Sequence, residues 1–250
     1  MVSAVTATPR FVGPALAAFL AGLAIGAVGV ASAAGGHLHT YARSVAPAPV
    51  APSPVTVEPP MVVVPDDSGI PGVVAWETRG WPASTGPAVP GALPHNHADG
   101  PIRYGVNPPA GGDHNSKWMN CGVYDQPVPN ERAGHNLEHG VVWITWRPDL
   151  APKDVAALER FVRRQPDVVV TIGGQRRNMG ERFIDLSPYP GLPAPIVASS
   201  WAHQLRLDSP DDPRLQRFVD TFRQNPRYSP EYGVTCSGQP EAIGGRPVFG

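Results

Sequence analysis

Two histidines and a glutamate fall within five consecutive residues near the middle of the chain. His135 and His139 are four positions apart, and Glu138 stands directly before the second histidine. If this stretch forms one helical turn, residues at i and i+4 lie on the same face, so both imidazoles could reach one ion. Glu138 could then ligate the ion, orient an imidazole, or act as a base. The spacing indicates a metal site as the first chemical hypothesis.

Other histidines could complete such a site. His114 lies in the glycine-containing run Gly111–Asn115, where the backbone can fold close to a ligand. Three or four imidazoles with a carboxylate suit Zn²⁺ or Cu²⁺ by ligand type. The predicted ligands are His114, His135, His139 and Glu138, with His97 and His203 as secondary candidates.

The same residues allow two other interpretations. The pair His135 and His139 with Glu138 could be a polar cluster that satisfies backbone groups where a loop enters a strand. The domain would then be a non-catalytic structural or interaction module of the cell envelope. The stretch also matches H-x-x-E-H, the inverted zinc-peptidase motif, which permits a metal-dependent hydrolase. Gly140 and a strand-like run follow at once, whereas such sites stand on a long helix, and we predict no catalytic residue.

The composition limits the possible partners. The chain has 32 prolines and 27 glycines, only 16% charged residues, and a net charge of −1. This balance, without a Lys/Arg run, argues against nucleic acid as a partner. Only two cysteines occur, Cys121 and Cys236. Outside the cytoplasm they are expected to form a disulfide, and the alternative is Cys121 as a soft metal ligand.

Residues 1–34 predict a signal peptide or a transmembrane anchor. Arg10 precedes a run without any Asp, Glu, Lys or Arg. Ala31–Ala33 fits the A-x-A cleavage pattern of a signal peptide. Phe11–Val30 is long enough to span a bilayer. Both interpretations place the rest of the chain outside the cytoplasm, anchored to the membrane if the segment is retained and secreted if it is cleaved.

Three further parts follow the N-terminal segment. Residues 35–94 are rich in Pro, Ala and Val and are predicted to be a largely disordered linker. Residues 95–238 are predicted to be a single α+β domain, and residues 239–250 a flexible tail. In the domain, an irregular Gly/Pro-rich segment precedes the order strand, helix, strand, strand, helix. This order predicts a small sheet of about three to five strands with two helices packed on one face.

The regular elements follow from apolar periodicity and turn residues. A helix is expected to begin at Pro152, because proline suits the first helical position, and to end at Gln165-Pro166. A second helix is expected after Ser209-Pro210, with serine as its cap. The predicted strands are Val141–Trp146, Val168–Ile172 and Ile196–Trp201.

A longer pattern connects the site residues. Pro108-Pro109 precedes His114, Trp118 follows, and then come Gly122-Val123-Tyr124 and His135–Gly140. The order and spacing resemble a family of bacterial membrane-anchored extracytoplasmic proteins classed as a domain of unknown function. Its members read PP-x-S-G-x-H, W, G-x-Y and H-x-L-E-H-G.

The chain departs from this family pattern in one place. Ala110–Asp113 stands where the family more often has Thr-Ser-Gly-Pro, so a hydroxyl is missing. The resemblance implies an anchored, extracytoplasmic domain and groups His114 with His135 and His139. It implies no activity and no particular protein partner.

Overall fold

The structure is a computed structural model that describes residues 55–80, 87, 89–238 and 245–246. The predicted signal peptide or anchor, residues 1–34, lies outside the described residues. Within the described ranges, no helix combines the length and the apolar character needed to cross a bilayer.

An eight-stranded mixed sheet forms the centre of the described chain. Two of its neighbouring pairs are parallel and the others are antiparallel. The strands in spatial order are β12 (Gly245–Arg246), β5 (Val123–Tyr124), β9 (Ile184–Pro188), β6 (Val142–Trp146), β10 (Ile196–Ser200), β11 (His203–Leu207), β3 (Val73–Trp76) and β2 (Val63–Val64). Both parallel pairs involve β9, which lies between β5 and β6.

Two smaller ladders accompany this sheet. The strand β1 (Thr56–Val57) pairs in parallel with β4 (Ile102–Arg103). The strands β7 (Val169–Ile172) and β8 (Gln175–Asn178) form an antiparallel hairpin. Its turn is Gly173-Gly174, and both glycines have positive φ, 57° and 79°, which suits a tight two-residue turn.

Helices cover both faces of the large sheet. They are α1 (Asn130–Glu138), α2 (Pro152–Arg164) and α3 (Pro213–Phe222). Successive side chains of a strand point to opposite faces. On β6, Ile144 accordingly packs with residues of α2 and α3, whereas Trp143 packs with Leu137 of α1. All five residues of β6 are buried, which explains why four of the five are apolar, with Thr145 as the exception.

The predicted α+β class is confirmed, but the sheet is larger than the expected three to five strands. Helices α2 and α3 share one face as predicted, and a third helix covers the other face. The strand β9 was missed because Asp185, Ser187 and Pro188 make it resemble a loop, although all its residues are buried. The helix α3 is capped by Asp212, whose side chain accepts from the Arg214 N–H at 2.9 Å, and not by Ser209.

Two strands of the sheet arise from the segment predicted to be a largely disordered linker. Val63–Val64 and Val73–Trp76 form the edge of the sheet beyond β11. Edge strands tolerate nearby prolines because only one side of the strand forms ladder hydrogen bonds. Gly245–Arg246, in the predicted tail, pairs with Val123–Tyr124 at the opposite edge.

Candidate metal centre

The last turn of α1 carries the central residues of the candidate site. His135 and Glu138 lie in this turn, and His139 is the C-cap, so the predicted helical turn is confirmed. All three side chains are buried, with residue exposures of 4%, 3% and 1%. Gly140 then takes a φ of 80°, a left-handed conformation that ends the helix and leads directly into β6. The short helix therefore directs both imidazoles into the protein interior.

A separate loop brings His114 to the same place. This loop pairs with the segment around His97 through an isolated β-bridge between His97 and His114. The His114 N–H donates to Asn96 O at 3.0 Å. The Tyr104 hydroxyl donates to Asp113 O at 2.9 Å, which holds the loop from the other side. His114 is fully buried, whereas His97 is exposed.

The three buried histidines share one hydrogen-bond arrangement. Each has its Nδ1 atom 2.7 Å from a backbone carbonyl oxygen. Because a carbonyl oxygen only accepts, Nδ1 carries the proton in the neutral ring and Nε2 keeps a free lone pair. The pairs are His114 with Gly112 O, His135 with Asn115 O, and His139 with Thr235 O.

The Nε2 atoms of the three histidines lie close to polar atoms but do not form regular hydrogen bonds with them. His135 Nε2 lies 2.9 Å from His139 Nε2. Two lone pairs at this distance repel unless a proton or a cation lies between them. His114 Nε2 lies 2.9 Å from Glu138 Oε2 but lacks hydrogen-bond geometry, and it has no hydrogen-bond partner among the described residues. Buried polar atoms in this state are rare and often mark an ion-binding site or a functional group.

The potential ligand atoms of the histidine cluster fall into two groups, and within each group they lie within 4.8 Å of one another. The first group is His97, His114, His135 and Glu138, and the second is His135, His139 and Glu231. The structure therefore brings together all four predicted ligands, but it assigns His114 and His139 to different groups with His135 in common. His97 joins the first group.

Burial and neighbouring charges move the histidine pKa values in opposite directions. Burial lowers the pKa of His135 to about 4, and the proximity of His139 and His114 adds to this shift. Burial also lowers the pKa of His114, but the Glu138 carboxylate outweighs burial and raises the pKa overall. A neutral His135 suits a metal ligand, because protons compete with metals for the same lone pair.

The C-terminal segment 231–237 closes the site. Glu231 N donates to Glu138 O at 3.0 Å, and the Glu231 carboxylate lies 3.1 Å from His139 Nε2. This close contact with His139 lowers the pKa of Glu231. The Trp118 ring lies against His139, with centroids 5.2 Å apart, and its Nε1 donates to Ser237 O at 3.1 Å. The segment thus supplies the Glu231 carboxylate and, through Ser237 O, helps to hold the Trp118 ring against His139.

The predicted disulfide joins this segment to the loop before β5. Cys121 and Cys236 are bonded, with Cα atoms 5.4 Å apart, and Cys121 N also donates to Cys236 O at 2.8 Å. The alternative of Cys121 as a metal ligand is therefore wrong. Because Thr235 directly precedes Cys236, the disulfide helps to hold the carbonyl that orients His139.

Sequence reasoning missed Glu231 and misplaced His203. Glu231 stands in an irregular stretch far along the chain, and no spacing relates it to His139. His203 contacts Phe222, with ring centroids 4.5 Å apart, and its Nδ1 bonds to Trp201 O. Its potential metal partners are Asp66 and Asp67 and not the other histidines. His203 is thus not part of the histidine cluster.

The helix that carries H-x-x-E-H has nine residues and ends within the motif, unlike the long helices of inverted zinc peptidases.

A family model described as "Protein of unknown function (DUF3105)" matches residues 95–238, which is more than half of the chain. The chain belongs to this family. No curated protein and no solved structure matches the chain.

Proposed function

We propose that this member of the DUF3105 family binds a divalent transition-metal ion, Zn²⁺ or Cu²⁺, at the histidine cluster. The observation that supports this proposal is the common orientation of three buried imidazoles. Each Nδ1 is bonded to a backbone carbonyl, so Nε2 is left as a ligand. Metal-binding histidines typically show this arrangement, since the outer hydrogen bond fixes the tautomer and the ring.

The first group supplies the ligands in this proposal. It offers three imidazoles and one carboxylate, a donor set and number that suit tetrahedral Zn²⁺. It also contains His114 Nε2, a buried nitrogen without a hydrogen-bond partner among the described residues. With the ion bound to His135, His139 stays beside the Glu231 carboxylate and limits access from that side.

Elemental analysis of the purified protein after loading with Zn²⁺ or Cu²⁺ tests the proposal. We expect roughly one bound ion per chain. His135→Ala should lose the ion, because His135 belongs to both groups. His203→Ala is a matched control, since His203 is also buried but lies outside the cluster, and it should keep the ion. Absence of stoichiometric metal from the loaded wild type would refute the proposal.

Two single variants locate the ion within the cluster. His114→Ala removes a ligand of the first group, and His139→Ala removes a ligand of the second group. The proposal predicts loss of the ion in His114→Ala and weaker but measurable binding in His139→Ala. The reverse result would place the ion between His135 and His139.

A purely structural role for the cluster is the competing function. The hydrogen bonds from His135 to Asn115 O and from His139 to Thr235 O join the end of α1 to two loops and would stabilise the fold without any ion. In that case His135→Ala would lower stability equally in the presence and absence of metal. Metal-dependent stabilisation of the wild type alone distinguishes the two roles.

We also propose that the domain acts outside the cytoplasm, anchored by the N-terminal segment or secreted after its cleavage. The disulfide supports this location, since such bonds persist mainly in oxidising compartments. Cell fractionation, with a thiol-alkylation assay on intact cells, tests it. Reduced cysteines in a cytoplasmic fraction would contradict this location.

A further inference from the structure

A second set of potential metal ligands lies apart from the histidine cluster. It consists of Asp66, Asp67 and His203, and the three potential ligand atoms lie within 4.8 Å of one another. The two aspartates lie between β2 and β3, whereas His203 is the first residue of β11. Asp67 is exposed and Asp66 is half-buried, so solvent reaches the set from the side of the aspartates. None of the three residues belongs to either group of the cluster.

The imidazole of His203 is held in one orientation and keeps one nitrogen unused. The residue is only 9% exposed, and its ring packs against Phe222 and Tyr228, with centroids 4.5 and 5.1 Å away. Its Nδ1 lies 2.8 Å from Trp201 O, so Nδ1 carries the proton of the neutral ring and Nε2 keeps a lone pair. Burial lowers the pKa of His203, so the ring is neutral at pH 7. Nε2 forms no hydrogen bond with any residue that the structure describes. An unused lone pair on a side chain that is nine-tenths buried indicates a ligand at this position.

The two carboxylates are positioned by neighbouring groups but keep acceptor capacity. Asp66 accepts from the Ser68 hydroxyl at 2.7 Å and from the Ser68 N–H at 3.2 Å. Asp67 accepts from the Tyr228 hydroxyl at 2.9 Å and forms an ion pair with Arg227. An ionised carboxylate offers about four acceptor positions, so each aspartate still has positions for a cation. Both side chains of the Asp67–Arg227 pair are more than half exposed, so this pair is weak and leaves Asp67 available.

We propose that Asp66, Asp67 and His203 bind a divalent cation of the Mn²⁺ class, with water in the remaining coordination positions. Two carboxylates with water form a harder ligand set than three imidazoles, which favours Mn²⁺ at this site and Zn²⁺ or Cu²⁺ at the cluster. The cation accepts the lone pair of His203 Nε2 and offsets the two negative charges beside it. It also connects the segment between β2 and β3 to β11.

The bound ion exchanges readily, because the site has three protein ligands and is open to solvent. Mn²⁺ stands at the weak end of the affinity order of divalent metals, so we expect a dissociation constant of about 10–100 µM. Gel filtration removes a metal from such an open site, whereas an ion in the buried histidine cluster is retained. The site therefore adds nothing to the elemental analysis of the cluster, and His203→Ala remains a valid control there.

Titration of the full chain with Mn²⁺ tests the proposal, with the electron paramagnetic resonance signal of the free ion as the measure of binding. The chain is first loaded with Zn²⁺ and gel-filtered, so that the cluster does not compete for Mn²⁺. We expect roughly one Mn²⁺ per chain, and binding at least about tenfold weaker in Asp66→Asn and in Asp67→Asn. Asp149→Asn is the matched control, because Asp149 is also an exposed aspartate paired with an arginine, and it should bind Mn²⁺ like the wild type. Absence of binding at 1 mM Mn²⁺, or equal binding in all three variants, would overturn the proposal.

Electron spin-echo spectroscopy of the bound Mn²⁺ tests the role of His203 without relying on a buried substitution. A directly bound imidazole nitrogen modulates the echo, and we expect this modulation in the wild type and its loss in His203→Gln. Bound Mn²⁺ without nitrogen modulation in the wild type would overturn the assignment. His135→Ala should bind Mn²⁺ like the wild type, because His135 belongs only to the cluster. Failure of this proposal and failure of metal binding at the cluster are therefore separate results.

Discussion

The Nε2 atoms of His135 and His139 lie 2.9 Å apart, and both imidazoles are held by carbonyl oxygens at Nδ1. This arrangement places two lone pairs against each other in a buried site. Two nitrogens that each lie about 2.0–2.1 Å from one ion would be separated by about 2.9 Å at a ligand angle near 90°. The observed separation is therefore compatible with a shared cation, and with a shared proton when no ion is present.

Glu231→Gln should weaken metal binding by roughly tenfold without preventing full uptake at saturating metal. The Glu231 carboxylate lies 3.1 Å from His139 Nε2, so its charge stabilises a cation in the cluster from a neighbouring position. Competition with a chelator measures the affinity. Glu159→Gln, on α2 and paired with Arg163, is the control for loss of a carboxylate. Complete loss of uptake in Glu231→Gln would instead make Glu231 an essential ligand.

Gly112→Ala should destabilise the protein by at least about 2 kcal/mol. Gly112 has a φ of 102°, and a Cβ there would lie 1.8 Å from Glu58 Oε1. Its carbonyl also accepts from His114, so metal affinity should fall as well. Gly105→Ala is the matched control, since its Cβ would meet no heavy atom within 4 Å. Urea unfolding measures both variants, and equal stabilities would contradict the prediction.

The double variant Cys121→Ser/Cys236→Ser should lose about 4–5 kcal/mol of stability in the chain-entropy description of disulfides. The bond joins residues 115 positions apart, so its loss releases a long loop in the unfolded chain. Metal affinity should fall too, because Thr235 O orients His139. Urea unfolding and chelator competition measure the two effects. Unchanged affinity in the folded variant would show that the segment is held without the disulfide.

The free energy of unfolding should depend on Asp185 between pH 4 and 7. Burial raises the pKa of Asp185 to about 7 from 3.8, against hydrogen bonds from Asn136 Nδ2 and Gly122 N. In this window the folded chain keeps a proton that the unfolded chain has released. The contribution of Asp185 therefore decreases as pH rises, by up to about 1.4 kcal/mol per pH unit.

Asp185→Asn removes this titration and should flatten the pH profile of stability. Urea unfolding at several pH values between 4 and 8 compares the variant with the wild type. Asp149→Asn is the control for loss of a charge, because that side chain is 74% exposed. If the profiles of Asp185→Asn and the wild type ran parallel across the window, Asp185 would have no special role.

The sequence predicted the local parts of the site because they depend on short-range geometry. The four-residue spacing of His135 and His139 requires a helical turn to place both on one face, and α1 provides it. Val141–Trp146 was recognisable as a strand because strands buried on both faces are typically rich in apolar residues, and only Thr145 interrupts this run. His114 was a candidate because of its glycine-containing loop, and the resemblance to a family pattern grouped it with His135 and His139, since no local periodicity connects it to α1.

Only the tertiary structure decided which potential ligands belong to which of the two groups, and which backbone carbonyls orient the imidazoles. Glu231, and the carbonyls of Gly112, Asn115 and Thr235, reach the cluster through irregular segments and the Cys121–Cys236 disulfide. Backbone carbonyls carry no side-chain identity, so no residue type marks them in a sequence. The amino-acid sequence therefore determined which groups could bind an ion, and only the packing of loops against α1 decided which of them meet, with His135 common to both groups.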